Sequence, residues 1–190
     1  HHQPRRQRQM CIRDSSYPIE QHPEPGETIE VVPGVRWLSM PMPGSLGFIN
    51  LYLLRDHYGW WIVDTGLSNE QTAALWQRIF ATDLKGESVV GVICTHMHPD
   101  HIGQARMITE QFQCPLYMTR GEYYQARTFA NGSSDSHSSW IGQQFYKRAG
   151  MPADYLEQIS KMWSQRASEG MSMPTLPGGY ERLVDGQVLR

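Results

Sequence analysis

Residues 89–94 form an apolar run, Val-Val-Gly-Val-Ile-Cys, and Thr95-His96-Met97-His98-Pro99-Asp100-His101 follows it at once. The run reads as a strand, and the carboxyl ends of strands are where α/β proteins place their chemistry. The segment after it packs three histidines and one carboxylate into six positions. Imidazole and carboxylate are the usual ligands of zinc and related divalent ions. Side chains two apart on a tight loop can converge on one ion, so His96 and His98 make one pair. Asp100 and His101 then face a neighbouring position where a second ion could sit. The competing reading, a polar turn that happens to be histidine-rich, does not account for such a density of ligands at a strand end.

The rest of the chain supplies a frame for that loop. Residues 16–27, with Pro18, Pro23 and Pro25, read as an extended lead-in. Residues 28–32 and 35–39 are short strands joined by Pro33-Gly34. Residues 49–54 and 60–63 pair across Asp56-His57-Tyr58-Gly59. Their alternation is poor, so both read as strands buried on two faces. Residues 69–80 form a helix capped by Ser68 or Asn69, with Leu75 and Ile79, and Trp76 and Phe80, at i,i+4 spacing. A second helix covers residues 102–112, with Ile102, Ala105, Ile108 and Phe112 on one stripe. Residues 115–118 are a strand and residues 120–128 a helix. Residues 131–137 are a polar loop. Residues 140–148 and 153–166 are amphipathic helices, the first marked by Ile141 and Phe145, the second by Leu156, Ile159 and Trp163. Asp185-Gly186 between residues 181–184 and 187–190 predicts a hairpin with a type I′ turn.

At 190 residues the chain suits one domain, and 39% apolar with 19% charged residues is the composition of a soluble globular protein. The net charge of −2 argues against nucleic acid and against an anionic membrane. Cys11, Cys94 and Cys114 make no disulfide framework, and Cys94 and Cys114 read as small core residues. A reducing cytoplasm is the expected compartment. Residues 1–15 read as a non-native leader or a disordered basic tail. Without them the charge moves from −2 to −5, since four Arg and one Asp are removed.

His96-x-His98-x-Asp100-His101 resembles the metal-binding signature of the metallo-β-lactamase superfamily. Trp60-Trp61-Ile62-Val63-Asp64-Thr65-Gly66 is similar to the strand and Asp-Thr-Gly turn that precede that signature there. The order of strands, turn, helix, strand and histidine loop agrees, and the resemblance covers residues 27–190. It implies an α/β fold of the αββα sandwich type, with the glyoxalase II-like hydrolases as the nearer branch. On this resemblance, residues 28–190 are an incomplete domain with a helical insertion at 120–170. A longer chain would add a third His for the first metal, a bridging Asp and a last His for the second.

The resemblance also implies the chemistry. Two zinc ions are expected, although iron or manganese suits the same donors. A catalytic zinc keeps an open position for water and lowers its pKa towards neutrality. His96, His98, Asp100 and His101 are the expected metal ligands, with Asp100 and His101 serving a second ion or Asp100 alone taking the catalytic role of orienting the water. Asp64 sits behind them and can take a hydrogen bond from a ligand His, or else merely forms the turn beside Gly66. Such a site hydrolyses an ester, thioester, lactone or related bond of a small-molecule substrate. Met40, Met42, Tyr123 and Tyr124 could line its pocket, although Met40 and Met42 equally suit a core. His22, His57 and His137 are expected outside the site. Two rivals share the fold: a mononuclear iron enzyme of the sulfur dioxygenase type and a non-catalytic binding protein. The oligomeric state is left open.

Overall fold

A computed structural model of the chain describes residues 19, 21–130, 140–168 and 173–189. The leader 1–15, Cys11, the polar loop 131–137 with His137, and the side chain of Trp163 lie outside the described residues.

Short apolar runs separated by turn residues build the sheet. In chain order these are β1 (Thr28–Val32), β2 (Val35–Pro41), β3 (Phe48–Asp56) and β4 (Gly59–Val63). Helix α1 (Glu70–Thr82) leads to β5 (Val89–Ile93), and α2 (Pro99–Ile102) and α3 (Ala105–Phe112) lead to β6 (Leu116–Met118). Then come α4 (Arg120–Ala130), α5 (Trp140–Arg148), α6 (Ala153–Ser168) and β7 (Glu181–Arg182). The strands form one sheet in the order β1-β2-β3-β4-β5-β6-β7. Neighbours from β1 to β4 are antiparallel, and those from β4 to β7 are parallel. The hairpin turns are short enough for antiparallel pairing, whereas each parallel pair needs a crossover. The parallel half therefore carries the helices and points the ends of β4, β5 and β6 the same way. The mixed α/β class matches the expectation.

Strand β4 is buried at Gly59, Trp60, Trp61 and Ile62, as a strand covered on both faces should be. Helix α1 turns Thr72, Trp76, Ile79 and Phe80 inward, and its N-terminus is capped by the Asn69 side chain, which accepts from Thr72 N. The fully buried Trp76 donates its indole N–H to Thr65 O at 2.8 Å, so the core of α1 is tied to the turn after β4. Cys94 is buried and Cys114 half-buried, and both are free thiols. No helix among the described residues is long and apolar enough to cross a membrane.

Four expectations are corrected. Strand β3 is buried on one face only: Leu51 and Leu53 point inward while Phe48 and Tyr52 are exposed. The helix expected over residues 102–112 is two pieces, α2 and α3, broken at Gly103 and Gln104, where the backbone is pulled against residues 66–68. The Asp185-Gly186 turn forms, with Gln187 N donating to Val184 O, but Asp185 is absent from the residues of positive φ, which excludes type I′. Its first arm pairs in parallel with β6 instead of folding back on residues 187–189. On α5, Ile141 and Phe145 are exposed together with Trp140, so its apolar stripe is not part of the core.

Gly91 in the middle of β5 shows how tightly the parallel half is packed. A Cβ there would lie 2.4 Å from the Trp61 ring. Overpacking of this kind costs about 1–3 kcal/mol. Gly91→Ala is expected to destabilise the protein by that amount, measured by chemical denaturation. An unchanged midpoint would show that Trp61 can move aside freely.

Candidate metal centre

The site is built where β4 and β5 end side by side. Asp64 N donates to Ile93 O, which carries the β4 chain one residue past the strand and brings its side chain under the histidine loop. Asp64 adopts φ 61°, a left-handed conformation that Asp tolerates better than most residues. Gly66 follows at φ 77°, and a Cβ there would meet Thr72 at 2.8 Å. The Asp-Thr-Gly turn is therefore dictated by its own residues.

Asp64 is buried, and every polar contact of its carboxylate goes to the loop. Its Oδ1 accepts Thr95 N at 2.8 Å, and its Oδ2 accepts the Thr95 hydroxyl at 2.8 Å and His101 Nδ1 at 2.8 Å. A carboxylate only accepts, so the single hydroxyl proton of Thr95 is directed at Asp64. Thr95 Oγ1 must then accept from His96 Nδ1, which lies 3.0 Å away. That chain of donors fixes both tautomers. His96 is left with its lone pair on Nε2, and His101, donating through Nδ1, presents Nε2.

The Nε2 atoms face partners. His96 Nε2 lies 2.9 Å from His98 Nδ1, and His101 Nε2 lies 3.4 Å from Asp100 Oδ2. Two ligands on a tetrahedral zinc with bonds of 2.0–2.1 Å stand about 3.3 Å apart. The donor set and both gaps thus fit two neighbouring ions, one on His96 and His98 and one on Asp100 and His101. Among the described residues no group of three His, Cys, Asp or Glu side chains is arranged to hold one ion. Each pair would supply two positions of such a shell.

The electrostatics follow the same geometry. Burial pushes His101 down, but hydrogen bonds and charge from Asp100 and Asp64 outweigh it and raise its pKa to about 9. Asp100 is held below the usual carboxylate range, first by its hydrogen bond with His101. His96 is lowered by burial and by the neighbouring His101 and His98. Burial and the Asp64 charge keep Cys94 a thiol.

The loop is clipped down from outside as well. Thr65 donates to His101 O through both its N–H and its hydroxyl, at 2.8 and 2.9 Å. Gln104 donates to Thr65 Oγ1, Leu67 O and Asn69 O. A Cβ on Gly103 would stand 2.3 Å from Gly66 O and Ser68 N, so only glycine lets α2 lie this close to the turn. Glu122, from the first turn of α4, accepts Met97 N at 2.8 Å. Sequence reasoning missed Thr95, Gly103, Gln104 and Glu122. The one available signal was that Glu122 follows the end of β6, a parallel strand beside β5.

The other residues singled out in the sequence separate clearly. Met97 packs against the core cluster. Met40 is fully buried and Tyr123 nearly so, with the Tyr123 hydroxyl donating to Pro177 O. Neither presents surface to a pocket, so the pocket expectation is corrected for both: apolar burial outweighs exposure at the site. Met42 is half-buried and Tyr124 exposed. His22 and His57 are exposed and away from the loop, His22 packing on Trp37 and Phe48.

A pH effect on the metal-free protein follows from His101. Its pKa rises from 6.5 to about 9 on folding. A raised folded pKa contributes stability that is complete below the unfolded value and is lost as pH rises through the folded one. Denaturation of the protein stripped of metal should therefore show a loss of stability between pH 6.5 and about 9. His101→Gln should flatten that slope, and a wild-type slope in that variant would remove His101 as its source.

The model for the metallo-beta-lactamase superfamily matches residues 44–182. Among solved structures, a beta-lactamase domain protein from Burkholderia ambifaria is 36% identical, with a TM-score of 0.70, covering 92% of this chain and 48% of that one. A metallo-beta-lactamase family protein from Thermus thermophilus is 22% identical, with a TM-score of 0.62, the match covering 84% of this chain and 49% of that one; it shows the fold alone. The chain thus spans about half the length of these structures. No curated protein matches it. The strand-turn-helix frame, the loop geometry and the family match agree, and the chain belongs to the metallo-beta-lactamase superfamily.

Proposed function

We propose that this chain carries the first half of the metal centre of a metal-dependent hydrolase. The observation that supports this best is the pairing of ligand-type atoms, His96 Nε2 with His98 Nδ1 at 2.9 Å and His101 Nε2 with Asp100 Oδ2 at 3.4 Å, where a divalent ion would take the place of a shared proton. Family membership supports a metal-dependent hydrolase in broad terms. The finer reading is ours: two zinc ions, a glyoxalase II-like enzyme, and a small-molecule substrate with an ester, thioester, lactone or related bond. The cytoplasm remains the proposed compartment.

His96 and His98 would hold one ion, and Asp100 and His101 the other. A divalent ion, when bound, supplies Lewis acidity that makes hydroxide available near neutral pH and polarises a carbonyl. Asp100, kept ionised by His101, accepts a hydrogen bond from the attacking water and aims it. Asp64 does no chemistry on the substrate; it keeps His101 and, through Thr95, His96 in the tautomers that present Nε2. Met42 and Tyr124 are the side chains proposed for the substrate pocket, and the helical insertion 120–170 is proposed to cap it.

In the full-length protein, His98→Ala should lose metal and nearly all hydrolysis, because an ion deprived of one of its protein ligands is under-coordinated. Asp64→Asn keeps the shape but weakens the hold on Thr95 and His101, and should cost about 10- to 100-fold in metal affinity or activity. Bound metal is read by elemental analysis and turnover with thioester and lactone substrates. Wild-type metal content and turnover in His98→Ala would defeat the proposal. One bound iron with no hydrolysis in the wild type would favour the dioxygenase rival.

A further inference from the structure

We propose that Glu122 is a positioning residue for the metal loop, acting on the peptide between the two histidines of the first pair. This rests on the metal-centre reading above. Met97 is the residue between His96 and His98, and the direction of its peptide decides whether the flanking imidazoles meet or diverge. Its N–H donates to Glu122 Oε2 at 2.8 Å, from 25 positions further along the chain.

Local sequence offers Glu122 another occupation. Thr119-Arg120-Gly121-Glu122 has the spacing of a capping box, in which the glutamate would turn back to the N–H of the residue that caps its helix. The carboxylate reaches across to β5's loop instead. Its position is held from two sides. Cys94 N donates to Tyr117 O, which keeps the end of β5 beside β6, and α4 begins two residues after β6 ends. On the next residue, Tyr123 stacks on Tyr180 with ring centroids 3.8 Å apart and donates to Pro177 O at 2.7 Å. The helix therefore cannot turn without breaking those contacts, and Glu122 meets the loop from a fixed base. Asp64 holds Thr95 and His101 from below, while Glu122 holds the bend between His96 and His98 from the side. Without Glu122 the loop keeps its base but loses the constraint that brings His98 Nδ1 to His96 Nε2.

The test compares wild type, Glu122→Ala, Glu122→Gln and the control Gln125→Ala, an exposed position on the same helix. Two quantities are measured on the full-length protein: hydrogen exchange of the Met97 amide without metal, and zinc affinity, with the cobalt(II) absorption spectrum as a monitor of ligand geometry. Glu122→Ala should exchange Met97 about tenfold faster or more, as expected for losing a hydrogen bond to a charged group. Its zinc affinity should fall by about 10- to 100-fold, with an altered cobalt spectrum. Glutamine keeps an oxygen acceptor without the charge, so Glu122→Gln should fall between alanine and wild type on both. It carries the test alone if the alanine variant does not fold. Gln125→Ala should match wild type. Wild-type Met97 exchange or wild-type zinc affinity in the Glu122 variants overturns the proposal. A wild-type protein that binds no zinc would instead remove the metal-centre reading, and Met97 exchange would still decide whether Glu122 fixes the loop.

Discussion

The buried carboxylate of Asp64 is the interaction on which the rest of the site depends. It sits where burying a charge is costly, and that cost is met only because several donors converge on it. All of them come from the histidine loop: Thr95 N, the Thr95 hydroxyl and His101 Nδ1. The loop cannot lift away without leaving a buried charge unpaired, so its position is fixed by electrostatics as much as by packing. The same bonds determine which nitrogen of His96 and of His101 is turned away from Asp64 and Thr95. The conformation of the loop and the proton positions on its imidazoles thus have one cause.

That arrangement needs β4 and β5 to end together, and the sheet supplies this. The two strands are parallel and adjacent, joined by α1, whose Trp76 anchors the turn through Thr65 O. Gly103 then lets α2 lie against residues 66–68, close enough for Thr65 and Gln104 to clip the loop from its far end. Glu122 reaches the bend of the loop from the helix that follows β6, the third parallel strand. Each of these restraints arrives from the carboxyl end of a parallel strand.

How much of this was legible depended on distance along the chain. The quartet His96, His98, Asp100 and His101, proposed as metal ligands, stands within one heptapeptide, and Asp64 within a turn whose glycine betrays its conformation, so both could be read locally. The strands and Asn69 as a helix cap were equally local. Glu122 could not be found that way, because its partner is fixed only by the pairing of β5 with β6. Gly103 has ordinary helical φ, and its need for glycine comes from a backbone it approaches, not from its own dihedral. Met40 and Tyr123 misled because apolar residues near a site fill a core as readily as they line a pocket. The turn at Asp185-Gly186 misled because the edge of β6 competes successfully for its first arm.

The central claim is that Asp64 sets the loop so that His96 Nε2 and His101 Nε2 face metal. A crystal structure of the full-length protein grown with zinc, with anomalous difference maps at the zinc edge, tests it directly. One ion is expected within bonding distance, about 2.0–2.1 Å, of both His96 Nε2 and His98 Nδ1. His101 is expected to coordinate through Nε2 with Nδ1 still on Asp64. An ion bound through His101 Nδ1, with Asp64 turned away from the loop, would contradict it.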